Sequence, residues 1–432
     1  MPRGPARSRG RLRLLRDRDF AHFFAGYTTS LLGTSMSALA VSFAVLDGGG
    51  TASDLGLVLA AGIVPQVLFM LGGGVIADRL GRRPVMLGAD IARCAAQAVL
   101  AGAVLAGRPA LWVFILLAMA RGTGDAVFTP ALSGLTVELA PPDDLVNANA
   151  LISAARSAAV VAGPTLAGVL VALAGPGTVI AIDAGSYAVS VLALASLRLP
   201  AAAGPAAAGP AAGQRPAARL AVIRSGLGDL RDGWAEFHGR AWLVITTIQF
   251  TLFNLLTWGP FLLLGPVLCR DYLGGAGAWG AVMACYGAGS VLGSLLALGR
   301  RPRRPMVAAT AATFGYALPC ALLALRAPVA GVAAGALVAG TGSALAGTFS
   351  AAAEQQQLPA GVLARVSAFQ TVTAFSLGPL AFAAAGPVAA LLGARAVLGF
   401  GAAWSTVSCA VVLALPAIRA VSAPPPRPPG PG

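Results

Sequence analysis

Residues 74–84 read Gly74-Val75-Ile76-Ala77-Asp78-Arg79-Leu80-Gly81-Arg82-Arg83-Pro84. This short polar turn separates two long apolar runs, 54–77 and 84–106. Each run exceeds the roughly 20 apolar residues with which a helix crosses ~30 Å of hydrocarbon. Gly74 has no side chain and admits a close helix neighbour at the end of the first run. Gly81 lets the backbone reverse tightly, and Pro84 suits the first turn of the helix that follows. Asp78 is a lone acid among Arg79, Arg82 and Arg83.

Outward from this turn, apolar runs alternate with polar turns along the 432 residues. The runs predict twelve transmembrane helices at 20–46, 54–77, 84–106, 110–137, 147–173, 177–199, 241–268, 276–299, 305–326, 328–351, 363–390 and 394–417. The fold class is therefore an all-α polytopic membrane protein. Composition agrees: 57% of residues are hydrophobic and 11% are charged. A disordered chain needs the opposite balance, and a water-soluble enzyme carries about a quarter charged residues. The first run is too long for a cleavable leader, and a second follows at once.

The formal charge of +14 comes from arginine alone, since all 30 basic residues are Arg. With the N-terminus in the cytoplasm, 23 arginines fall on the inner side. Four fall outside (Arg108, Arg270, Arg326, Arg395) and three lie within spans (Arg93, Arg121, Arg156). That bias follows the positive-inside rule and puts both termini in the cytoplasm. Nucleic-acid binding, which interleaves basic and aromatic residues on a soluble surface, is excluded. The five cysteines form no C-x-x-C pair and read as apolar packing residues, so no metal site or cofactor is expected.

Residues 200–240 form the longest polar stretch and divide the spans six and six. The expected domains are 1–199, a six-helix bundle; 200–240, an inner-side linker with an amphipathic segment over 220–237; 241–417, a second six-helix bundle; and 418–432, a proline-rich tail. The halves echo each other. Ala162-Gly163-Pro164 matches Leu377-Gly378-Pro379 at an offset of 215, which also carries Gly74 onto Gly289. Parallel repeats of this kind build many secondary transporters.

With twelve spans, the fit of residues 74–83 to G-x-x-x-D-R-x-G-R-R resembles the major facilitator superfamily, as do the linker position and the repeat. The start at Asp17-Arg18-Asp19-Phe20 and the stretch Asn147-Ala148-Asn149 look like its branch of drug, macrolide and siderophore exporters. The resemblance implies a conformational latch at Gly74, Asp78, Arg79, Gly81, Arg82 and Arg83. In it Asp78 meets the start of span 11 near residue 363, and the arginines reach carboxylates at the inner end of span 4. The bland alternative is a turn that only sets topology. The matching turn of the second half carries Gly293 in place of the acid, which weakens any latch there.

In span 5, Ala159 to Gly168 resembles the superfamily's antiporter motif through Gly163, Pro164 and Gly168, with alanine at two glycine positions. Packing without antiport is the other reading. Ionisable residues at membrane depth are functional candidates. Asp90 and Arg93 stand at i and i+3 in span 3, and Arg121 and Asp125 at i and i+4 in span 4. Arg156 lies in span 5 and Asp183 in span 6, toward the outer side. Arg121 and Asp125 form the expected proton-coupling site, with Asp90 the next candidate and Arg156 placed to pair with Asp125. A static ion pair that fixes packing is the rival. By the resemblance, spans 1, 4, 7 and 10 line the substrate cavity, with Tyr27, Thr34, Gln249, Asn254 and Trp258 as candidates.

No G-x-x-x-x-G-K-[ST] loop, H-E-x-x-H or G-x-S-x-G occurs, so no enzyme is expected. The implied function is proton-coupled export of a small amphipathic compound by alternating access, in a bacterial inner membrane. An importer or lipid flippase of the same fold is the first alternative, and a non-transporting sensor or scaffold the second. The expected partners are a small-molecule substrate, protons and the lipid bilayer, with the chain acting as a monomer.

Overall fold

The chain enters its first helix through Asp17, whose side-chain Oδ1 accepts the Phe20 backbone N–H at 3.0 Å. That satisfies one of the donors every helix start leaves open. The computed structural model describes residues 14–198, 237–358, 370 and 377–422, with the side chains of 70–75 and 78 set aside. The described residues are nearly all helical. The helices are α1 (Arg18–Asp47), α2 (Ala52–Leu80), α3 (Arg82–Ala106) and α4 (Leu111–Leu139). Leu145–Ala195 follows as one continuous stretch, broken where Gly175 takes φ 80° and ψ 163°. Only glycine adopts that backbone readily, so the parts at 145–174 and 176–195 are two helices, α5 and α6. After the linker come α7 (Ala241–Leu273), α8 (Ala276–Ala297), α9 (Pro305–Ala324), α10 (Val329–Gln357), α11 (Gly378–Leu392) and α12 (Ala394–Ala414).

Ten described segments, counting α5 and α6 together, are long and apolar enough to cross a membrane, and α11 is a shorter apolar helix. Large apolar side chains such as Leu68, Trp112, Val146, Leu192 and Leu391 stand exposed, as expected where lipid is the solvent. The amphipathic segment expected over 220–237 lies outside the described residues except for Phe237, as does residue 363 at the start of span 11.

The chain divides into two compact units, Met1–Gly50 with Leu57–Gly213, and Thr51–Gly56 with Gln214–Gly432. In the first, α1 and α3 both pack along the α5–α6 pair, and α3 also packs on α4. In the second, α8 packs on α10, and α9 on α10 and α12. Backbones approach closely at matching places. A Cβ at Gly122 of α4 would strike the Gly62 carbonyl of α2, and one at Gly340 of α10 would strike the Tyr286 carbonyl of α8. Small residues let membrane helices gain packing and weak backbone contacts that side chains would block.

The turn after α2 is built as its residues dictate. Gly81 takes φ 88°, and Pro84 falls in the first turn of α3. In the second half the helices are less regular. The backbone of α7 widens to π-helical turns at Asn254–Trp258 and Cys269–Leu273, and α9 tightens to a 3-10 turn at Thr313–Tyr316. Such turns rotate side chains off the ordinary helical face and recur at functional sites.

Candidate functional site

Four charged residues of α3 and α4 form one chain. On α3, Arg93 reaches back one turn to Asp90 through Nη2 and across to α4 through Nη1, which donates to Asp125 Oδ1 at 2.8 Å. Asp125 Oδ2 accepts from Arg121 Nη1 at 3.3 Å. Two acids and two bases thus alternate as Asp90, Arg93, Asp125 and Arg121. Ser190 of α6 donates to Asp90 Oδ2 at 2.6 Å. The Arg93 guanidinium also lies over the rings of Phe128 and Tyr187, at 4.1 and 4.8 Å. Charge, hydrogen bonding and ring quadrupoles all hold this one cation. Its Nε has no partner among the described residues.

The members differ in access. Asp90 is fully buried and Arg93 nearly so, whereas the Asp125 side chain keeps 19% of its surface and that of Arg121 keeps 30%. Asp125 is therefore the less buried of the two carboxylates in this ionic chain.

A second polar network lies beside the chain. The Gln97 amide of α3 donates to Ser37 Oγ at 2.6 Å and to Asp183 Oδ2 at 2.5 Å. Ser186 donates to the Asp183 carbonyl at 2.7 Å, and Thr34 meets the Tyr187 hydroxyl at 2.8 Å. Asp183 is fully buried and makes no ion pair among the described residues.

One expected contact is corrected. Asp125 does not pair with Arg156: its two oxygens accept from Arg93 and Arg121, and Arg156 is directed to Tyr27 instead. Arg156 is exposed on α5 and donates to the Tyr27 hydroxyl at 3.3 Å. Tyr27 is buried and stacked on Phe23.

In the turn after α2, Arg82 donates to the Gly134 carbonyl and to Glu138 Oε1, both at 2.9 Å, at the end of α4. Arg83 donates to the carbonyls of Leu194 and Ala195 at 2.9 and 2.8 Å. It thereby caps α6 with a cation at the negative end of the helix dipole. That contact escaped the sequence reading, because nothing in spacing shows which helix end will lie against the turn. Arg79 is exposed, and the side chain of Asp78 lies outside the described residues, as do the surroundings of Gly74. The Arg82–Glu138 pair is partly exposed and contributes about 0–1 kcal/mol.

In α5, Gly163 faces Ser35 and Met36 of α1, where a Cβ would not fit, and Gly168 is buried. Helical backbone continues through Pro164. Thus Gly163 is where α5 meets α1 closely.

Of the candidate cavity residues, Thr34 and Tyr27 are engaged inside the first half. In the second, Asn254 is held by the Phe250 carbonyl at 2.9 Å. Trp258 is packed among Phe253, Phe261, Tyr286 and Tyr316. Gln249 alone of the five lines a cavity enclosed by α7, α9, α10 and α12.

The profile of the Major Facilitator Superfamily matches residues 19–383. The chain is 24% identical to macrolide efflux protein A of Streptococcus pyogenes over 278 residues, covering 64% of this chain and 65% of that protein. It thus spans about 65% of the length of that relative. It is 26% identical to multidrug efflux pump Tap of Mycobacterium tuberculosis over 408 residues, covering 90% and 91%. The crystal structure of nucleoside transporter NupG superposes with a TM-score of 0.67 at 15% identity, covering 92% of this chain and 98% of that one, which is a likeness of fold.

Proposed function

The chain belongs to the Major Facilitator Superfamily, and from that premise we propose that it exports a small amphipathic compound in exchange for protons. The observation that carries the reading is the ionic chain Asp90–Arg93–Asp125–Arg121, which ties α3 to α4 through Asp125, the less buried of its two carboxylates. Buried charge in a membrane helix is costly and persists where it serves an ion pathway or a switch. A proton on Asp125 weakens its holds on Arg93 and Arg121 together. A conformation in which those arginines find other partners then gains population. The likeness to macrolide efflux protein A and to pump Tap supports export as the direction.

In this reading the transporter works as a monomer in the bacterial inner membrane, with both termini cytoplasmic. The Asp78 turn is the latch that favours the outward-open state, and Arg82 and Arg83 keep the start of α3 fixed to the inner ends of α4 and α6. Gly163, Pro164 and Gly168 keep α5 packed tightly enough on α1 to limit proton leak.

Ethidium accumulation in an efflux-deficient bacterial host tests both levels. Cells carrying the protein should accumulate several-fold less dye, and a protonophore should restore accumulation. Asp78→Asn should slow efflux several-fold at equal protein level. Efflux that survives the protonophore contradicts the coupling, and an unchanged rate in the variant contradicts the latch.

A further inference from the structure

The interior of the second half is arranged differently from that of the first. In the first, α1, α3, α4 and α6 close on charged and polar side chains that bond to one another. The corresponding helices of the second, α7, α9, α10 and α12, leave a cavity of about 530 Å3. That volume suits a small molecule, for which sites of ~300–1,000 Å3 are usual.

Three observations describe what would fill it. Phe250, Phe253 and Tyr316 supply an aromatic wall, with Phe253 and Tyr316 rings 4.5 Å apart. Thr247 lines the cavity at 5% exposure, and its Oγ1 has no hydrogen-bond partner among the described residues. Its neighbours Thr246 and Thr251 bond backbone carbonyls of their own helix at 2.9 and 2.8 Å. An unmatched buried hydroxyl is unfavourable unless a guest supplies the partner. Glu354 is the acid in the wall. Its Oε1 accepts from the Gln370 amide at 3.1 Å, and it makes no ion pair among the described residues. Ser343, which takes the Tyr286 hydroxyl at 3.1 Å, lies eleven residues before Glu354 on α10, about 16 Å along the helix.

We propose that this cavity binds a monocationic aromatic amphiphile, with its cation at Glu354, its ring system against Phe250, Phe253 and Tyr316, and a polar group at Thr247. Rings and a carboxylate together favour an aromatic cation over a neutral molecule of the same shape. The proposal deepens the export reading and rests on it for the step that moves the ligand, whereas binding stands by itself.

The probes are tetraphenylphosphonium and the neutral, similarly shaped triphenylphosphine oxide, titrated onto the purified full-length protein in nanodiscs. The protein should prefer the cation by roughly tenfold or more in Kd. Glu354→Gln should erase that preference. Gly347 lines the cavity and has open space where a Cβ would stand. Gly347→Leu should therefore fill the cavity and weaken both probes by roughly tenfold or more, with the helical circular dichroism of the wild type. Equal affinity for the two probes overturns the proposal, as does unchanged affinity in folded Gly347→Leu. Should that variant not fold, the Glu354→Gln comparison decides. Binding that persists while an imposed pH gradient moves no probe supports the cavity and removes the export reading. Gradient-driven flux that persists with no binding at the cavity does the reverse.

Discussion

Asp125→Asn is expected to lower pH-gradient-driven export by roughly 100-fold while the protein still folds and binds its ligand. The size follows from the two contacts that converge on this carboxylate, from Arg93 at 2.8 Å and from Arg121 at 3.3 Å. Hydrogen bonds to charged groups contribute about 1.5–3 kcal/mol each. Releasing two of them approaches the ~5.5 kcal/mol that carries a two-state equilibrium from 1:99 to 99:1. Asparagine keeps the shape of the side chain but holds no proton at any working pH. The variant should therefore stay fixed in one charge state, and its residual rate should no longer respond to pH. The check is initial rate against pH in proteoliposomes. A rate that follows the wild-type profile removes Asp125 from the mechanism. Loss of the profile in Asp183→Asn instead would move the proton to the neighbouring network, where Asp183 is held by Gln97 without a cation.

The second large effect is on stability. Arg93→Gln leaves Asp90 fully buried with only the Ser190 hydroxyl to hold it, and takes one of two partners from Asp125. Removing one member of a buried ion pair costs about 3–5 kcal/mol. For a helical half of this size that corresponds to a fall in Tm on the order of 10 °C. Adding Asp90→Asn should recover part of the loss, because the double variant no longer buries an unpaired charge at that end of the chain. Thermal unfolding of the purified variants measures both. A single variant that melts with the wild type, or a double variant worse by the sum of the two singles, contradicts the ionic chain.

Much of the architecture was legible because the physics behind it is local. Apolar length sets a span, and the expected break between 173 and 177 is where Gly175 turns the backbone to φ 80°. The pairs Asp90–Arg93 and Arg121–Asp125 could be read from helical spacing alone. What joins them could not. Arg93 reaching Asp125 is a contact between helices, from residues 32 apart in the chain. Sequence reasoning therefore centred the group on Arg121 and offered Arg156 as the partner, while the structure makes Arg93 the hub. The π-helical turns of α7 carry no signal in an apolar stretch such as Asn254-Leu255-Leu256-Thr257-Trp258. The unfilled interior of the second half was equally hidden, since hydroxyl residues in a span read the same whether they face a neighbour or a void.

The account's central claim is that substrate and protons move in opposite directions through this chain. It is tested most directly in proteoliposomes that enclose a pH-sensitive dye, with tetraphenylphosphonium added to one side and no other gradient imposed. Entry of the cation should drive protons out, with a change of internal pH that is absent in protein-free liposomes and in Asp125→Asn. Movement of the cation with no accompanying change in internal pH would contradict the account.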